Sequence, residues 1–78
     1  MTDEEYSYEG GAFQAIGAAL VHANSTMFAL SQARSDAAAI QNQRLSSTVS
    51  RQLSLAATKL EEAKMWARAA SEALANGR

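Results

Sequence analysis

From Val49 to Leu74 apolar side chains recur at steps of three and four, and this repeat constrains the fold more than any other feature of the chain. One row of the repeat is Val49, Ala56, Ala63 and Ala70, and the row four residues further on is Leu53, Leu60, Ala67 and Leu74. Residues three and four apart share one face of an α-helix, so the stretch reads as a helix with a continuous apolar seam. Four of the eight seam residues are alanine, which lets a facing backbone come close and favours a tight helix pair. Trp66 falls away from the centre of the seam, as do Leu55 and Ala69. A large indole outside the seam calls for a second partner, and Trp66, Met65 and Leu55 are the expected contacts of a subunit interface.

The chain has 78 residues, and domains near this size bury only about 60% of their unfolded surface, so a lone helical hairpin is marginal and oligomerisation is the expected remedy. There is no cysteine and a single histidine, His22, which excludes disulfides, thiolate sites and a multi-histidine metal site within one chain. No apolar run approaches the roughly 20 residues needed to span a bilayer, and no signal segment opens the chain, so a soluble cytosolic protein is expected. The net charge of −1 hides an asymmetry: residues 1–9 hold four acids and no base, whereas residues 10–78 hold seven bases and four acids, a balance of +3. That balance is too small for the dense basic stripe of a duplex-DNA binder, yet enough for a few arginines to meet a small anion.

Residues 1–11 read as an acidic N-terminal arm or short helix, ending where Gly10-Gly11 interrupts a helix. Residues 12–78 read as a helical hairpin. Helix one is expected over about 12–42, with Phe13, Ile16, Leu20, Ala23, Met27, Leu30 and Ala37 on its seam, and with Gly17 and Asn24-Ser25-Thr26 as weak points. The hydroxyl-rich run QRLSSTVS places the turn at about 43–50, because such side chains compete for backbone hydrogen bonds. Helix two follows over about 50–75, with Ser50 or else Ser47 as N-cap and Asn76-Gly77 as the stop. The fold class is therefore all-α: an antiparallel two-helix hairpin assembling into a homo-oligomer.

Catalytic constellations are missing, and an enzyme is not expected. His22 has no carboxylate three or four residues away to orient it, and Glu61 and Glu62 point about 100° apart on a helix, so they form no facing dyad. Binding chemistry is better represented. The expected start of helix two offers free backbone N–H groups beside Ser47, Thr48, Ser50, Arg44 and Arg51, the parts of an anion site, although capping serines and solvated arginines explain the same residues. Tyr6, Tyr8, Phe13 and Trp66 have ring faces suited to nucleobases, while core packing is the simpler role for Phe13 and a subunit interface for Trp66.

The segment Arg51-x-Leu53-Ser54-x-Ala56-x-Thr58-x-Leu60-Glu61-Glu62-Ala63-x-Met65-Trp66 resembles the signature of the small phage helical-hairpin proteins that counter CBASS and Thoeris immunity. The resemblance covers that segment, and the first helix joins it only by pattern. It implies a non-enzymatic sponge in the cytoplasm of an infected bacterial host, commonly a homohexamer, that sequesters cyclic di- or trinucleotides or cyclic ADP-ribose isomers before an effector is activated. No cofactor is implied. Arg51 and Thr58, seven residues apart beside the seam, are the leading polar candidates for ligand contact, followed by Arg68, Arg44 and Ser50; Tyr6, Tyr8 and Phe13 are candidates for stacking. Helix one departs from a charged pocket wall in having Arg34 as its only cation. The competing reading is a structural or regulatory helical oligomer that binds a protein or RNA partner. RNA binding would show steep salt dependence, and the +3 of the body argues against it.

Overall fold

The computed structural model describes residues 7–77, which form two helices, α1 (Tyr8–Ala38) and α2 (Gln43–Asn76). At 1.5 Å per residue these 31- and 34-residue helices are about 46 and 51 Å long. They lie antiparallel in a slab of 60 × 24 × 13 Å, one helix thick.

The ends of both helices differ from those expected. Glycine pair 10–11 does not break α1; it sits inside the first turn. Ser7 caps that turn, its Oγ accepting from the Gly10 N–H at 3.2 Å and its carbonyl from the Gly11 N–H at 2.9 Å, with Glu9 favourably placed against the helix dipole. A cap worth about 1 kcal/mol offsets much of a glycine cost of similar size. Tyr8 thus belongs to the helix rather than to a separate arm. The helix runs unbroken through Gly17 and Asn24-Ser25-Thr26, where the Thr26 hydroxyl donates to the His22 carbonyl at 2.9 Å.

The turn occupies residues 39–42, not 43–50. Asn42 is the N-cap of α2, its Oδ1 accepting from the Leu45 N–H at 3.1 Å, so Ser47 and Ser50 lie within the helix and cap nothing. Ser46 has another use: its hydroxyl donates to the Ala37 carbonyl at 2.7 Å, clasping the first turn of α2 to the last turn of α1. At the far end Gly77 closes α2 by donating to the Ala73 carbonyl at 2.8 Å, as the Asn76-Gly77 stop requires.

On α1 the seam is as expected: Ile16, Leu20, Ala23, Met27 and Leu30 are less exposed than their neighbours and Ala37 is buried, while Phe13, near the open end, stays 47% exposed. On α2 the row of Leu53, Leu60, Ala67 and Leu74 faces α1, but its companion row is Ser50, Ala57, Lys64 and Ser71 instead of Val49, Ala56, Ala63 and Ala70. That is a helix rotation of about 50° from the expected seam. The leucine row has small residues on both flanks, so hydrophobicity marks the row without choosing which flank meets α1. Lys64 is accommodated by lining the seam with its methylene stem and passing its ammonium to Glu61 Oε1 at 3.3 Å. The displaced row is left at the surface: Ala56, Ala63 and Ala70 are all exposed.

Candidate functional site

The corrected register divides the hairpin into two outward faces. One carries Ala12, Ala19 and Thr26 from α1 beside Val49, Ala56, Ala63 and Ala70 from α2, rows that meet across a groove of about 360 Å³ lined by Ala19, Leu20, His22, Ala23 and Thr26 of α1 and Leu60, Ala63, Lys64 and Ala67 of α2. On the other, Gln14 of α1 meets Ala75 of α2 in a cavity of about 470 Å³ with Gly10, Phe13 and Leu74. The Gln14 row continues at seven-residue intervals through Val21, Phe28 and Ser35, and the Ala75 row through Arg68, Glu61, Ser54 and Ser47. The first is an alanine face, the second a hydroxyl and arginine face.

Most candidate ligand residues fall on that second face. Arg44, Arg51, Thr58 and Met65 stand at seven-residue intervals and form one stripe, with Arg68 beside it. Arg34 projects from the adjoining edge of α1, so all four arginines among the described residues lie on this side. None of them forms an ion pair; the pair found among the described residues is Lys64–Glu61. Unpaired, exposed guanidinium groups are suited to bidentate capture of phosphate.

Height along the hairpin separates these residues into two groups. The Ser46–Ala37 clasp and the groove partners Ala23 and Ala63 set the stagger, which brings Arg34 level with Arg51 and Phe28 level with Thr58. Nearer the open end, Arg68 lies within about two helical turns of Phe13. Tyr8, 85% exposed at the start of α1, is about 40 Å from Arg51 along the helix axis. Tyr8 and Phe13 therefore cannot share a pocket with Arg44 and Arg51 of the same chain. Tyr6 lies outside the described residues.

Two expected contacts are altered by local bonding. The Thr58 hydroxyl donates to the Ser54 carbonyl at 3.0 Å, so it has lone pairs but no proton to offer a guest. Ser50 is half-buried in the seam with its backbone inside α2, so neither it nor Arg51 contributes to a free helix N-terminus. That terminus lies at Asn42, where Asn42, Arg44, Leu45 and Thr48 line an open depression of about 270 Å³.

Sequence reasoning missed Phe28 and Val21, exposed by 77% and 64% on the arginine side. Their signal is a seven-residue spacing off the seam. The expected interface residues are also at the surface, Leu55 by 58%, Met65 by 52% and Trp66 by 64%, but they do not form one patch. Trp66 flanks the alanine face, Met65 the arginine face, and Leu55 points directly away from α1.

No cluster of three or more potential metal-ligating side chains occurs among the described residues. No helix among those residues is long and apolar enough to cross a membrane. A family model described as Acb2/Tad1, hairpin domain, matches residues 14–72, spanning both helices and the turn between them, and the chain belongs to that family. This is the anti-CBASS and anti-Thoeris sponge family, whose members bind signals rather than catalyse reactions. Comparisons with curated proteins and with solved structures gave no match.

Proposed function

We propose that this protein is an oligomeric sponge that sequesters cyclic oligonucleotide messengers in the cytoplasm of an infected bacterium and so silences CBASS or Thoeris effectors. The observation that supports this most is family membership across both helices. The arginine face supplies matching chemistry: unpaired guanidinium groups for phosphates and exposed rings for bases. Arg51 and Arg34 with Phe28 form one set of ligand contacts, and Arg68 with Phe13 another. Thr58 accepts from a ribose hydroxyl or an exocyclic amine. Because Tyr8 and Arg51 stand so far apart in one chain, a pocket using both draws them from different copies, as a homohexamer permits.

Isothermal titration against cyclic dinucleotides, cyclic trinucleotides and cyclic ADP-ribose isomers tests the reading. Saturable heat with at least one class, and recovery of the ligand unchanged after protein denaturation, is the expected result. Absence of binding across the panel refutes it.

A further inference from the structure

We infer that the groove on the alanine face receives Trp66 of a second copy of this chain, in a two-fold contact where each copy supplies both the knob and the hole. The inference deepens the oligomeric reading above and rests on it, by naming which surface pairs with which. Three observations converge. The first is surface area: the chain exposes 6119 Å², whereas a compact monomer of 8.3 kDa exposes about 4,600 Å². The excess, about 1,500 Å², is larger than the footprint of about 800 Å² that each partner contributes to a standard interface.

The second observation is fit. The groove is about 360 Å³, with Ala19, Ala23, Ala63 and Ala67 in its walls, and its surface is overwhelmingly apolar although His22, Thr26 and Lys64 also line it. Short walls leave depth for a bulky apolar group, and indole is the bulkiest the chain possesses. Trp66 is the sole tryptophan and is 64% exposed, an uncommon position for a side chain whose burial contributes so much to interfaces.

The third is position. Trp66 follows Ala63 by three residues, so the indole and the groove share a face. It also lies at the height of the groove, whose α2 wall runs from Leu60 to Ala67. A two-fold axis parallel to the helices, offset from the groove towards α2, preserves height and moves each Trp66 sideways into the other copy's groove. The contact is isologous and closed. Arg34, Arg51 and Phe28 remain outside it, on the opposite face.

Sedimentation equilibrium combined with Trp66 fluorescence tests the contact. In the wild type, association from nanomolar to micromolar concentration is expected to shift the emission to the blue in step with mass. Trp66→Ala is expected to weaken association at least about a hundredfold, since both knobs are lost. Ala63→Leu, a substitution at an exposed position that fills the groove, is expected to weaken association too while leaving a water-exposed Trp66 signal; circular dichroism checks that both variants stay helical. An assembled wild type whose Trp66 emits as a solvated indole, or assembly indifferent to both substitutions, overturns the contact. So does a wild type that remains monomeric. Titrating a cyclic dinucleotide into the same samples separates the two readings: ligand heat with a solvated Trp66 overturns only this contact, and a buried Trp66 with no ligand heat across the panel overturns only the sponge.

Discussion

Lys64 offers a quantitative test of what holds the two helices together. It is 9% exposed in the middle of the seam, and its ammonium pairs with Glu61, which is 55% exposed. Lys64→Ala deletes three methylenes beyond Cβ, and at about 0.8 kcal/mol each their burial contributes up to about 2.5 kcal/mol. Lys64→Met keeps an unbranched apolar chain of similar reach and removes only the charge. The pair lost is separated by three residues on one helix and is worth about 0.2–0.5 kcal/mol, and the largely exposed Glu61 stays hydrated without it. At about 4–8 °C per kcal/mol for a domain of this size, the alanine variant is expected to melt lower by up to about 10–20 °C, and the methionine variant within about 4 °C of wild type. Thermal denaturation followed by circular dichroism at one fixed protein concentration makes the measurement, because self-association raises apparent stability. Equal losses in the two variants would show that the ion pair, and not the stem, fastens the helices, and would refute the reasoning.

The hairpin turn and the two faces supply further tests. Asn42→Ala removes the cap of α2 and is expected to cost about 1 kcal/mol in chemical denaturation. Ser46→Ala opens the clasp to the Ala37 carbonyl at a cost of about 1 kcal/mol, and the two losses are expected to be non-additive because both act on one turn. Gly17→Ala is expected to raise stability by about 0.5–1 kcal/mol, since an added Cβ meets nothing within 4 Å and the backbone there is already helical; a lower melting temperature would contradict this. Arg51→Ala and Phe28→Ala are each expected to weaken cyclic-oligonucleotide binding at least about tenfold in titration calorimetry with melting temperatures within a few degrees of wild type, consistent with the usual cost of losing a charge-assisted contact or a stacked ring.

Much of the fold was legible because some residues have only one sensible use. Ile16, Leu20, Met27 and Leu30 are large, apolar and spaced by threes and fours with Ala23, a repeat that Val21 and Phe28 do not join, so the inward face of α1 follows from spacing alone. The leucine row of α2 is equally plain. Its companion row was not, because Ala56 and Ala57, or Ala63 and Lys64, differ too little in packing demand once a lysine stem can serve as an apolar strut. Ser46, Ser47 and Ser50 misled for a different reason: a hydroxyl can cap a helix, bind an adjacent carbonyl or face water, and sequence does not choose among them. Asn42 is as good a cap as serine, and recognising it would have placed the turn correctly. The arginine stripe of the candidate site was partly legible, since Arg51 and Thr58 are seven apart. Phe28 escaped notice, and Arg34 was noted only as the lone cation of helix one, because both become neighbours of that stripe only after the helices are paired in this stagger.

A slab one helix thick has no deep layer, and its two rods touch along a single line. Isotopic labelling of backbone amides is expected to reflect this economy: protection should come from the helical bonds themselves and be lost along both rods together when the line parts. Separate early and late tiers of exchange, familiar from proteins with stacked layers, have no structural basis here. Whatever tightens that line, from the clasp at the bend to a neighbouring copy, is expected to slow exchange at both ends of the rods alike.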